Sequence, residues 1–122
     1  MDNYHNKPEI LERTKKFSIK IIILCNKFPK NPGGYAIAKQ LVRSGTSIGA
    51  NITEAQDAVS RQDFIHKLSI SLKEARETLY WIEIIEELKI FPDEEIATVE
   101  HDIIEIIKIL RTIIVKLKNK EK

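Results

Sequence analysis

Apolar residues recur along the chain at alternating steps of three and four, the spacing of one face of an α-helix. The stripes form four segments, separated by turn-forming residues at 28–34, 56–60 and 90–93. No segment alternates apolar and polar residues over a useful length, as a half-buried strand would. The pattern therefore predicts four helices, at about residues 8–28, 33–57, 61–89 and 93–119.

The stripes also predict which residues form the core. The third segment carries a stripe of six apolar residues: Ile65, Leu68, Leu72, Ala75, Leu79 and Ile82. The fourth segment carries seven: Ile96, Val99, Ile103, Ile106, Leu110, Ile113 and Leu117. These faces are expected to pack against the corresponding stripes of the first two segments.

The sequence also contains signals for where the helices begin. Pro8 and Pro92 stand where a missing backbone N–H has little effect, and Ser60 with Asp63 has the form of a capping box. Connections this short favour antiparallel neighbours. The chain of 122 residues is therefore predicted to be a single all-α domain, an antiparallel up-down-up-down four-helix bundle.

The segment Gly45-Thr46-Ser47-Ile48-Gly49 spells the nucleophile elbow of α/β-hydrolases. An elbow requires a strand before it and a parallel sheet behind it, and this chain has no strands to build one. The motif lies inside a predicted helix, where each glycine destabilises by about 1 kcal/mol relative to alanine. We interpret the glycines as packing residues, placed for close approach of a helix or subunit, or for a ring such as Trp81 or Tyr80.

The formal charge is only +2, yet it is unevenly distributed. In an antiparallel bundle, residues 1–17, 52–72 and 107–122 share one end, with twelve Lys and Arg against seven acids. The cations that lead this end are Arg13, Lys15, Lys16, Arg111, Lys116, Lys118, Lys120 and Lys122. Such a field attracts phosphate backbones, although lysines at a helix C-terminus also suit the helix dipole.

Two further features point to assembly. The first and fourth segments have extra apolar rows (Ile19, Ile22 and Ile23; Ile104, Ile107 and Ile114), which indicate a self-association face. Polar residues line the predicted second and third helices at helical spacing, either as a solvated face or as a network that fixes helix register. We favour the network, because Ser and Asn are poor helix formers.

Other chemistry is not indicated. The histidines lack the paired Glu-x-x-His spacing of a di-iron bundle, and no metal or cofactor is expected. The single Cys25, in an apolar run, indicates a structural thiol in a reducing compartment. Without a leader-like N-terminus or a span long enough for a bilayer, the chain is predicted to be cytoplasmic and to have no membrane partner.

Three stretches resemble the bacterial four-helix-bundle family encoded in intervening sequences of 23S rRNA genes. They are LVRSGTSIGANITEAQ at 41–56, SRQDFIHKLSISLKEARETLYWIEIIEEL at 60–88 and IIEIIKILRTIIVKLK at 103–118. Where family members often have Ala-Asn-Ile-Ala-Glu-Gly, this chain has Ala-Asn-Ile-Thr-Glu-Ala at 50–55. The family-type positions are Arg43, Gly45, Ser47, Gly49, Asn51, Glu54, Glu74, Arg76, Glu77 and Trp81.

The resemblance implies a four-helix protomer in a ring-like homo-oligomer, commonly a homopentamer, without known catalysis. A more distant resemblance is to the accessory protein of diversity-generating retroelements, a basic barrel that binds a reverse transcriptase and nucleic acid. This chain is much closer to neutral. The leading hypothesis is a non-enzymatic oligomer that binds RNA or a ribonucleoprotein partner, such as a nucleic-acid-processing protein, through its basic end. The alternative is a protein-interaction scaffold without nucleic-acid binding.

Overall fold

The computed structural model describes residues 8–120, and Lys122 of the predicted basic end lies outside them. The chain folds into four helices: α1 (Pro8–Cys25), α2 (Pro32–Ala55), α3 (Arg61–Leu88) and α4 (Asp93–Lys120). Residues 8–120 contain no strand. The all-α class is therefore confirmed.

Several helix ends have an identifiable local reason. The Asn31 side chain accepts a hydrogen bond from the Gly34 amide (2.8 Å), and Ser60 does the same for Asp63 (3.0 Å), which satisfies donors that a helix start leaves unpaired. The first helix ends at Cys25 rather than at residue 28. The amides of Lys27 and Phe28 donate to carbonyls three residues back, as in a 3₁₀ turn, rather than four residues back as in an α-helix. Phe28 also precedes a proline, which disfavours a helical conformation at Phe28.

The other helix ends differ from the sequence ranges by small amounts. The second helix ends at Ala55 rather than at residue 57, because Gln56 and Asp57 also bond three residues back. The third helix ends at Leu88, and Lys89 adopts a left-handed conformation (φ 56°) that stops it.

One hydrophobic core contains buried residues from all four helices. Consecutive helices pack extensively against each other, whereas α1 packs less extensively against α4. Phe28 and Phe91, with ring centroids 5.2 Å apart, pack together where the α1–α2 and α3–α4 connections meet.

The predicted core is largely the observed core, with corrections on α3 and α4, where Ile113 and Leu117 of the predicted stripe are only partly buried. On α3, Leu72 and Leu79 are only partly buried, because Ser71 and Thr78 occupy the fully buried positions. On α4, Ile107 and Ile114 lie in the core of the chain itself. The interpretation of their row as a self-association face is therefore wrong. The buried face of α4 is wider than one stripe, because neighbouring helices of the same chain contact α4 on more than one side.

Candidate functional site

The predicted basic residues within the described part of the chain are all exposed on α1 and α4. We call this set the basic pole: Arg13, Lys15, Lys16, Arg111, Lys116, Lys118 and Lys120. Among residues 8–120, every ion pair lies elsewhere, on Lys20, Lys27, Arg43, Lys89 or His101. The charges of the basic pole are therefore available to a partner.

A groove of about 830 Å³ opens beside Lys116 and Lys120 of the basic pole. All four helices contribute to its lining. These residues are Glu9 and Ile10 of α1, Ile52 of α2, Arg61 and Phe64 of α3, and Ile113, Lys116, Leu117 and Lys120 of α4. The start of α1, the end of α2, the start of α3 and the end of α4 therefore meet there. The sequence places charge in this region but gives no sign of the groove, which depends on relative helix lengths.

A polar cluster bridges the outer sides of α2 and α3. The Arg43 guanidinium donates to Glu74, with N–O distances of 3.2 and 3.3 Å, and also to Glu77. The Trp81 indole N–H donates to the same Glu77 carboxylate at 3.0 Å. The hydrogen bonds from Trp81 and then from Arg43 hold the pKa of Glu77 below its usual value of 4.5.

The structure brings together only some of the family-type polar residues. The Ser47 hydroxyl donates to the Arg43 carbonyl (2.6 Å), and the Asn51 amide donates to the Ser47 carbonyl (2.8 Å), so both bond within their own helix. Glu54 and Arg76 are exposed, and within residues 8–120 neither side chain has a polar partner. The cluster therefore consists of Arg43, Glu74, Glu77 and Trp81.

The glycines of the G-x-S-x-G segment face α1. A Cβ atom added to Gly45 would lie 3.0 Å from Ile21 Cγ2, and one added to Gly49 would lie 3.1 Å from Thr14 Oγ1. Neither ring that the sequence offered, Trp81 or Tyr80, is among the nearest groups. A neighbouring helix of the same chain makes the close approach.

Buried hydroxyl groups, which the sequence interpretation missed, join α2 to α3. The Ser71 hydroxyl donates to the Ile48 carbonyl (2.8 Å). The Thr78 hydroxyl lies 2.9 Å from that of Ser44 and 2.8 Å from the Glu74 carbonyl. Their spacing could have indicated that they are buried, because Ser71, Ala75 and Thr78 are separated by steps of four and three and so share one helix face.

The metal-ligating side chains of residues 8–120 are dispersed, and the Cys25 thiol is partly buried. Among residues 8–120, no group of three metal-ligating side chains converges. Burial raises the pKa of Cys25 to about 11, which disfavours the reactive thiolate. No helix within that range has both the length and the apolar composition needed to cross a bilayer.

Comparison with known proteins identifies the family. A protein of unknown function from the S23 ribosomal protein family of Bacteroides thetaiotaomicron VPI-5482, known from a crystal structure at 1.70 Å resolution, superposes with a TM-score of 0.81. The two are 41% identical, and the match covers 86% of this chain and 97% of the other. None of the curated proteins compared is similar. The family model described as 23S rRNA-intervening sequence protein matches residues 6–112, and the chain belongs to that family.

Proposed function

We propose that the chain is a non-enzymatic, homo-oligomeric protein that binds RNA through its basic pole. In this proposal each protomer is an antiparallel, up-down-up-down bundle. The contacts support that arrangement. Ile21 faces Gly45 while Thr14 faces Gly49, and Lys20 pairs with Asp102 while Lys27 pairs with Glu95, so rising numbers on α1 meet falling numbers on both neighbours.

Self-association is supported by the outer face of α1. Ile19 and Ile23 are 50% and 55% exposed, and Ile22 lies between them on the same side at 42%. Three adjacent isoleucines in water form a patch that a second copy of the chain can cover. A ring of copies repeats the basic pole around an axis, which strengthens the attraction for a polyanion.

RNA binding rests on one observation: seven exposed cations lie on the first half of α1 and the last third of α4, and no carboxylate within residues 8–120 pairs with them. Phosphate contacts release counterions, so affinity for RNA falls linearly on logarithmic axes as salt rises. No recognition helix or aromatic platform for reading bases is indicated, which favours contacts to the RNA backbone.

The test compares two variants of equal net charge. Lys15→Ala/Arg111→Ala/Lys118→Ala removes three cations of the basic pole, and Lys30→Ala/Lys39→Ala/Lys73→Ala removes three exposed lysines elsewhere. We expect the first variant to bind a structured RNA at least tenfold more weakly at low salt. Its salt slope should be shallower by about two to three, because each lost phosphate contact removes roughly 0.7–0.9 from the slope.

The control should keep most of the wild-type affinity and salt slope. Equal losses in both variants would show that only net charge matters. If wild-type binding is undetectable at low salt, or does not change with salt, the RNA proposal is wrong and the scaffold hypothesis takes its place.

A further inference from the structure

The groove at the basic pole results from unequal helix lengths. Lys20 pairs with Asp102 and Lys27 with Glu95, and in that register Pro8 is level with Ile114. The last six residues of α4 therefore extend about 9 Å beyond the start of α1, at 1.5 Å per residue. Within residues 8–120, α1 therefore has no residue level with this last stretch of α4, which carries Leu117.

The lining of the groove is aliphatic at the bottom and cationic at the edge. Ile10, Ile52 and Leu110 are buried and form its floor, while Ile113 and Leu117 are half-buried in its walls. The charged lining residues are Arg61, Lys116, Lys120 and Glu9, three cations against one acid. A volume of about 830 Å³ falls within the range of small-molecule sites, roughly 300–1,000 Å³.

We propose that this groove binds an amphipathic monocarboxylate, an unbranched aliphatic acid of medium chain length. Its chain lies on the isoleucine and leucine floor, and its carboxylate lies at the edge with Arg61, Lys116 and Lys120. This ligand matches both halves of the groove: the aliphatic floor suits an alkyl chain, and the excess of cations suits one negative charge.

A nucleobase fits the same groove less well. Phe64 is the single aromatic side chain in the described lining, whereas proteins that bind unpaired bases stack successive bases on several aromatic rings. The fatty-acid site therefore overlaps the proposed RNA contacts only in part. Lys116 and Lys120 belong to both, whereas the aliphatic lining serves the alkyl chain alone.

The first test is a chain-length series measured by calorimetry with octanoate, decanoate and dodecanoate, each below its micelle concentration. Burial of each additional methylene should tighten binding about fourfold, so two carbons should tighten it about fifteenfold. Decanoate should also bind several-fold more tightly than 1-decanol, because only the acid carries a charge. Absence of binding, or an affinity independent of chain length, would overturn the proposal.

Matched variants on α4 locate the site. Leu117→Gln removes an apolar wall, and Val115→Gln makes a similar change outside the groove. We expect at least tenfold weaker decanoate binding for L117Q and no change for V115Q. Likewise, K116A/K120A should weaken decanoate several-fold, whereas K118A, which alters no lining residue, should not.

These results separate the two proposals. L117Q should retain RNA affinity, and the K15A/R111A/K118A variant should retain decanoate affinity, since no residue changed in that variant lines the groove. Equal decanoate affinity of L117Q and V115Q would overturn the fatty-acid site. A fall in assembled mass confined to L117Q would instead assign the groove to a second copy of the chain.

Discussion

The close approach of α1 to α2 depends on two glycines that have no side chain. At Gly45 and Gly49 a hydrogen replaces the side chain that α1 would otherwise meet, and the nearest atoms belong to the bodies of Ile21 and Thr14. Those neighbours are fully buried, so they have little room to move. The loss of helix propensity at these glycines, about 1 kcal/mol each, is therefore offset by packing.

The first prediction concerns Gly45→Leu. A leucine here must displace Ile21, and overpacking of this kind typically destabilises by about 1–3 kcal/mol. Urea denaturation should show a lower free energy of unfolding, with thermal melting shifted in the same direction.

Gly33→Ala is the matched control. Its added Cβ would lie 3.8 Å from Asn31 Oδ1, an ordinary contact, and the residue stands in the first turn of α2. We expect this variant to keep or gain stability, by up to about 0.5 kcal/mol. If G45L unfolds at the same urea concentration as the wild type, α1 does not pack closely at Gly45.

The helices α2 and α3 are joined by polar contacts both in the core and at the surface. Inside, the hydroxyls of Ser44, Ser71 and Thr78 are buried and hydrogen-bonded. Outside, Arg43 and Trp81 converge on Glu77. The outer cluster is partly exposed, so we expect it to contribute less than about 1 kcal/mol and to fix helix register more than stability.

The second prediction uses the pKa of Glu77. Its value in the folded chain lies below the usual 4.5, so the stabilisation is present above pH 4.5 and disappears as the pH falls through the lowered value. Glu77→Gln should therefore be less stable than the wild type at pH 7. The difference should shrink below pH 4.5 in urea denaturation series.

Glu100→Gln provides a control of opposite sign. Burial, and then repulsion by Glu86 and Glu83, raises the pKa of Glu100, so its charge destabilises the folded chain at neutral pH. E100Q should be more stable than the wild type at pH 7 and lose this advantage as the pH falls through the raised pKa. The same sign of effect for both variants at pH 7 would contradict this interpretation.

The sequence was sufficient for the four helices because each stripe repeats over many turns and the caps at Ser60 and Pro92 are local. It was insufficient at Ser71 and Thr78, where a hydroxyl is buried only because a particular carbonyl or hydroxyl on α2 lies opposite. The prediction that Ile107 and Ile114 lie on a self-association face was wrong for a related reason, because the width of a buried face depends on how many helices surround the helix. The groove depends on register between distant helices, which no local pattern encodes.

The whole molecule combines an isoleucine face on α1, an aliphatic groove and a cationic edge, and each makes a different demand on partners. In the proposed function, the α1 face is covered by another apolar surface, and the basic pole stays open to a polyanion. Both demands are met if copies associate through α1 and leave the converging helix ends free. Each property should then persist when the other is lost, although a single chain should bind RNA more weakly than an assembly.

The last prediction tests that independence with Ile19→Gln/Ile23→Gln. Both side chains are half exposed, so the change should leave the fold intact while it removes apolar area from the α1 face. Light scattering should report a multiple of 14.1 kDa for the wild type and a mass approaching one chain for the variant. Val59→Gln/Val115→Gln, which alters exposed apolar residues elsewhere, should keep the wild-type mass. The separated chains should still bind RNA, but more weakly, because each then presents one set of cations rather than several. A wild type that stays monomeric at high concentration would remove the assembly from this account, and the basic pole would have to act alone.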